Sequence, residues 1–200
     1  MKVIQPKLLY LTLVKSLLKI TIAGIVIGYF HIYDGVLAGL LLLKIGHSVY
    51  QLGFKKSQKN WIIVLGVVLT GVLGMISEIW GVYNQYWEYH DIQRKFPLWL
   101  PLGWMLAFTF LYKTEKGVFE SLENPTFKQK ALITSLLVII FPAIGEAITI
   151  NLGVWTYHWP YQLFGVPAFT FLCLLVLHSI INYSIYLFCK HKNIKDPVFG

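Results

Sequence analysis

Two glutamates lie inside apolar runs of this sequence, each followed at one spacing by the same set of side chains. Ile76, Glu78, Trp87, Tyr89, His90 and Phe96 recur as Ile144, Glu146, Trp155, Tyr157, His158 and Phe164, every pair offset by 68 (146 − 78 = 68). Six identities over 21 ungapped positions exceed what chance gives, even in a chain that is 16% aromatic. A carboxylate at the centre of a membrane helix costs about 2.5–3.5 kcal/mol, so such residues usually face a bundle interior and mark a site. Two of them at matched repeat positions suit acid–base chemistry. One carries a proton to a substrate, the other accepts one or activates water, and two close carboxylates titrate as a pair. Trp87, Tyr89, Trp155 and Tyr157 supply ring faces that stabilise a cation. The bland alternative is an aromatic belt at the membrane interface, with Glu–His pairs as struts.

His90 and His158 are candidates for substrate contact beside these rings. As metal ligands with Glu78 and Glu146 they fit no known signature, because eleven intervening residues do not bring Glu and His to one helix face. No metal is expected. His178 and Asn182, four apart, share a helix face and are expected to hydrogen-bond inside the bundle; Asn182 joins the candidate substrate contacts. The six histidines form no desaturase-type cluster, His-Glu-x-x-His is absent, and no Gly-rich phosphate loop occurs. Cys173 and Cys189 are about 24 Å apart along one helix and cannot bond to each other. No cofactor is required by anything in the sequence.

The elements that must position these groups read as membrane helices. The chain has 200 residues, 56% hydrophobic and only 13% charged, against about 25% charged in a soluble domain. A hydrocarbon core of about 30 Å takes about 20 apolar residues per helix. Six stretches qualify: Leu11–Phe30, Gly35–Leu52, Trp61–Val82, a short Leu98–Tyr112, Ala131–Ile150 and Pro167–Phe188. Lys15 and Lys19 interrupt the first, so residues 1–16 could instead be an amphipathic lead-in on the inner surface. Twelve lysines, among them Lys2, Lys55, Lys56, Lys59, Lys128 and Lys190, flank one side, and only Arg94 and Lys95 the other. The positive-inside rule makes the lysine side cytoplasmic, with both termini on it. The net charge of +8 therefore reports topology and not a nucleic-acid partner. The expectation is an all-α, polytopic membrane bundle of about six helices in the cell membrane. It is one domain over residues 1–200, with helix–loop–helix repeats at about 61–112 and 131–188 related by an axis along the membrane normal. The turn Tyr29–Asp34 reads as a degenerate third copy. Its partners are membrane lipids and a hydrophobic small molecule; the oligomeric state stays open.

The repeat resembles the carotenoid 1′,2′-hydratase family over roughly residues 70–170. The matching residues are Glu78, Gly81, Trp87 and Tyr89, then the Pro-led stretch Phe96–Trp104, and in the second half Gly153, Trp155 and Tyr157 followed by Gly165, Val166 and Pro167. The duplicated layout is also similar to small membrane lycopene cyclases, although their Pro-x-Glu-Glu motif is absent and Tyr157 stands where the hydratases carry Trp. The resemblance implies a cofactor-independent enzyme that protonates a lipid-soluble isoprenoid to start cyclisation or hydration, with Glu78 and Glu146 as its acid and base. Two other readings stay open. One is a six-helix binding subunit of a vitamin-type transporter, against which the first helix shows no small-residue docking surface of the expected kind. The other is a structural or regulatory membrane protein.

Overall fold

The computed structural model describes residues 2–55 and 61–199. The described residues form six α-helical segments and a little β structure: α1 (Pro6–Phe30), α2 (Asp34–Val49), α3 (Trp61–Tyr83), β1 (Trp87–Tyr89), α4 (Leu100–Glu120), α5 (Phe127–Asn151), β2 (Trp155–Tyr157), β3 (Gln162–Leu163), β4 (Val166–Pro167) and α6 (Ala168–His191). Helix is unbroken from Pro6 to Phe54, because a 3₁₀ turn at His31–Tyr33 joins α1 to α2 and a π-helical turn, Tyr50–Phe54, ends α2. The direction nevertheless reverses there. Ser16 bonds Thr114 near the end of α4, whereas the α1–α2 corner reaches the start of α4, where the Asp34 carboxylate accepts from the Leu98 N–H. Only a returning α2 can then pack along α4, as it does.

The helices alternate in direction, with both chain ends at one end of the bundle. The N-terminal residues bond to Ser121, at the end of α4. The C-terminal segment tucks in beside them, where Asp196 accepts from Tyr112 Oη (2.9 Å) and Phe199 stacks on Phe108 and Tyr112. This is the lysine-rich end; Lys56 and Lys59 fall outside the described residues. The opposite end carries the β segments.

Four stretches among the described residues are long and apolar enough to cross a membrane: Pro6–Phe54, which holds two helices, Trp61–Tyr83, Phe127–Asn151 and Ala168–His191. The helical membrane bundle stands, while α4 does not reach that standard. Its expected end at Tyr112 is also too early. The helix runs on through Lys113, Glu115 and Lys116 to Glu120 because Thr114, Glu115, Val118 and Phe119 form a buried face, with Lys113 and Glu120 turned outward. Likewise the residues of the alternative lead-in, from Pro6 onward, belong to the first helix. α1 is continuous from Pro6, with Lys15 and Lys19 on its exposed side.

Close packing follows small residues. Gly66, Gly71 and Gly74 of α3 receive Phe108, Met105 and Trp104 of α4, which fixes α3 and α4 as an antiparallel pair. Gly24 of α1 receives Ile148 of α5, and Gly28 receives Leu152, the residue that follows α5. The main core gathers Ile62, Ile63, Phe108, Val118, Ile181 and Ile185 toward the lysine-rich end, and a second cluster of Leu37, Trp99, Leu100 and Val154 lies at the other.

The 68-residue offset reaches the architecture. α3 and α5 end at Tyr83 and Asn151, and α4 and α6 begin at Leu100 and Ala168 (83 + 68 = 151; 100 + 68 = 168). Left-handed backbone recurs at Gln85 (φ 59°) and Gly153 (φ 79°). The third copy expected at Tyr29–Asp34 has no strand. His31 instead caps α1 through the Gly28 carbonyl, and Asp34 pairs with Arg94 at 3.5 Å.

Candidate functional site

The two repeat loops build one antiparallel ribbon. Trp87 pairs with Tyr157, Glu88 with Thr156 and Tyr89 with Trp155. Glu88 and Thr156 are themselves 68 apart, so the ribbon's local two-fold axis falls on the repeat axis. Hydrogen bonds extend the ribbon symmetrically: His90 N–H to the Val154 carbonyl (3.0 Å) and His158 N–H to that of Tyr86 (2.8 Å). Side chains alternate across a strand. Trp87, Tyr89, Trp155 and Tyr157 therefore point down into the bundle, while Glu88 and Thr156 point up and are exposed.

Below the ribbon is a cavity of about 200 Å³ whose walls include Glu78, Glu146, Tyr89, Trp104, Trp155 and Tyr157. Both nominated glutamates face it. Each sits five residues before its helix ends, about 7.5 Å below that end. The ribbon closes the top with edge-on aromatic pairs, Trp87 with Tyr157 (5.5 Å between centroids) and Tyr89 with Trp155 (5.8 Å).

The two carboxylates are solvated differently. Glu78, 7% exposed, accepts three hydrogen bonds: Trp87 Nε1 (2.9 Å) and Tyr89 Oη (2.8 Å) at Oε2, and Trp104 Nε1 (3.0 Å) at Oε1. Glu146 accepts one, from Tyr157 Oη at 3.0 Å. Two substitutions between the repeats account for the asymmetry. Gly81 leaves a notch into which the Trp87 indole lies, and a Cβ there would overlap the ring. At the matched position Thr149 carries that Cβ, and Trp155 Nε1 stays beside Glu146 without a hydrogen-bond partner. Trp104 supplies the third donor to Glu78, whereas its counterpart 68 residues on is Leu172. Burial first, and the neighbouring glutamates second, push the Tyr89 and Tyr157 phenols well above the ordinary tyrosine range. Both remain donors, and the carboxylates are their acceptors.

Of the residues nominated from sequence, Glu78, Glu146, Tyr89, Trp155 and Tyr157 line this cavity, and Trp87 reaches it through Glu78. His90 and His158 do not. They lie on the ribbon's upper face, where His90 Nε2 meets Thr156 Oγ1 (2.8 Å) and His158 Nε2 meets Glu88 Oε1 (3.4 Å). The alternation that turns Tyr89 and Tyr157 down turns the next residue up. Asn182 also lies elsewhere. It bonds His178 (3.0 Å), as the four-residue spacing predicts, and lines a second cavity nearer the lysine-rich end.

Three participants are not among the residues nominated from sequence, although Trp99 and Trp104 lie in the Pro-led stretch that carries the resemblance. Trp104 and Trp99 have no repeat counterpart to flag them. Trp99 is 3% exposed, and its Nε1 has no partner. Glu115 looks like part of a charged loop, yet it is 1% exposed and holds His178 Nε2 at 2.9 Å. A helical reading through residue 120, placing Thr114, Glu115, Val118 and Phe119 on one face, would have found it. Among the described residues no group of three or more His, Cys, Asp or Glu is placed to hold a metal ion. No family model matches the chain, and neither does any curated protein or solved structure.

Proposed function

We propose that the chain is a membrane-embedded acid–base enzyme acting on one end of a lipid-soluble isoprenoid, with Glu146 as the acid and Glu78 as the base. The observation that carries this reading is the convergence of two carboxylates on one aromatic-walled cavity inside an apolar bundle. Hydrogen bonds donated to a carboxylate favour its charged form. Glu78 has three donors and suits the carboxylate role; Glu146 has one and suits the role of proton carrier. In the step proposed, the Glu146 O–H bond breaks and its proton adds to a substrate double bond, leaving a carbocation beside the Trp and Tyr rings. Glu78 then takes a proton, either from the adjacent carbon or from the water that adds to the cation. The pair ends with one proton, as it began, so no cofactor enters the balance. A volume of about 200 Å³ is below the roughly 300–1,000 Å³ of ordinary ligand pockets. The site thus admits an end group, with the remaining chain leaving between helices into lipid.

We also propose that α1 to α6 each cross the cell membrane, with both termini and the lysine-rich end in the cytoplasm. α4 is the least apolar crossing, but its 21 residues span about 31 Å, and its buried Glu115 is hydrogen-bonded to His178. Labelling of single cysteines placed at the two ends tests this topology. The enzymatic reading is tested by incubating purified protein with linear and epoxidised isoprenoids in detergent and analysing products. Glu146→Gln is expected to lose at least about 100-fold in turnover, in line with general acid catalysis worth 10²–10⁴, and Glu78→Gln a comparable amount. Full turnover in both variants removes the assignment.

A further inference from the structure

A second polar cluster lies below the glutamate pair and is not used by the proposed chemistry. Glu115 of α4, His178 and Asn182 of α6 form a hydrogen-bonded chain inside the bundle, with Glu115 Oε2 and Asn182 Oδ1 both buried and unpartnered. An ionisable group in a membrane interior marks a functional path by default. This cluster stands between two cavities. His178 lines the upper one together with Glu78 and Glu146. Asn182 and Ser179, its helix neighbours, line the lower one, of about 500 Å³, which reaches Lys130 and Phe127 at the lysine-rich end.

The bonding geometry leaves one proton with two homes. His178 Nε2 lies 2.9 Å from Glu115 Oε1 and 3.0 Å from Asn182 Nδ2. A ring nitrogen cannot donate to one and accept from the other at once. Either the ring carries the proton and donates to Glu115, with the Asn182 amide turned so that its oxygen accepts, or Glu115 carries it and the ring nitrogen accepts. The two arrangements differ by one proton moved along one short contact and one amide rotation.

The upper cavity supplies the rest of a path. By helical rise His178 lies about 7.5 Å deeper than the glutamates, ten residues from its helix end where they are five from theirs. Thr70 of α3, 13 residues from its helix end and so about 4.5 Å deeper still, lines the same cavity, buried, its Oγ1 without a partner. About 200 Å³ is room for about seven waters at about 30 Å³ each. Above the glutamates the ribbon and its paired rings close the way out.

We infer that Glu115 and His178 form a proton relay joining the Glu78–Glu146 cavity to the lysine-rich end of the bundle, so that the carboxylate pair exchanges protons with that side and not through the ribbon. The inference rests on the proposed function only in taking the pair as a proton site; it needs no particular substrate. The other titratable groups facing the path are Tyr89 and Tyr157 above, and Lys130, Tyr183 and Tyr186 below.

The test uses the full chain in lipid nanodiscs, with no substrate, and follows the carboxyl infrared bands of Glu78 and Glu146 after a pH jump, the bands being assigned with the two Gln variants. Glu115→Gln keeps the hydrogen bond and removes the carrier. His178→Gln keeps a polar partner without a titrating ring. Ser179→Phe plugs the lower cavity from beside the relay. Each is expected to slow protonation of the pair at least tenfold with the final band intensities unchanged. Parent-like rates in whichever of the three variants fold overturn the relay. A failed product assay leaves these rates unaffected, so the relay and the enzymatic reading fail separately.

Discussion

The notch at Gly81 holds the ribbon to the acidic pair, and filling it is the sharpest test of the site's construction. In Gly81→Ala the new Cβ overlaps the Trp87 ring, which has α3 backbone beneath it and Tyr157 against its side. The indole must shift, and its 2.9 Å bond to Glu78 Oε2 is lost. A hydrogen bond to a charged group contributes about 1.5–3 kcal/mol, and overpacking costs about 1–3 kcal/mol. Replacing Gly by Ala within a helix returns about 1 kcal/mol. The expected net loss is about 1.5–5 kcal/mol, read as the shift in unfolding free energy on titrating mixed micelles with denaturing detergent, with circular dichroism as the signal. The same substitution in a Trp87→Ala background meets no ring, so only the helix-propensity gain remains and the sign reverses, to a stabilisation of up to about 1 kcal/mol. Equal effects in the two backgrounds, or a single variant within about 0.5 kcal/mol of the parent, would show that Trp87 does not lie in the notch and that the account of the repeat asymmetry is wrong.

The unequal solvation of the two carboxylates gives a second prediction. Glu78→Leu orphans three buried donors at about 1–3 kcal/mol each and is expected to be the more destabilising, by at least about 2 kcal/mol, than Glu146→Leu, which orphans Tyr157 alone; the same detergent titration compares them, and equal costs would contradict the donor assignment. Simultaneous His90→Ala and His158→Ala substitutions alter only the upper face of the ribbon, so turnover or ligand affinity is expected to stay within about twofold of the parent, given that surface changes away from special features usually cost under about 0.5 kcal/mol. A loss of tenfold or more would put the histidines back in the site.

Much of this architecture is legible in the chain itself. Hydropathy marks where helix must lie, since a lipid-exposed backbone has to satisfy its own hydrogen bonds. The 68-residue offset gives the matched ends of α3 and α5, the matched starts of α4 and α6, and the shared depth of Glu78 and Glu146. Those are local properties, repeated in the sequence because the local structure repeats. The strand alternation that sends Tyr89 and Tyr157 down and His90 and His158 up is also a local rule, but it applies only once the loops are known to pair, and three-residue strands leave no period to read.

What the tertiary structure alone decides is which side chains from separate elements meet. The third donor to Glu78 comes from α4, 26 residues away, and the partner of Glu115 comes from α6, 63 residues away. Nothing in the spacing of either pair announces it. Glu115 sits among lysines and reads as a surface residue until α6 is laid against it. The two glutamates occupy equivalent places in the repeat, yet one is held by three donors and the other by one, because Gly81 and Trp104 face Thr149 and Leu172 across the pseudo-symmetry. Periodicity and hydropathy are written residue by residue along the chain. Convergence depends on how helices cross and what fills the space between them, and that becomes definite only when the bundle is packed.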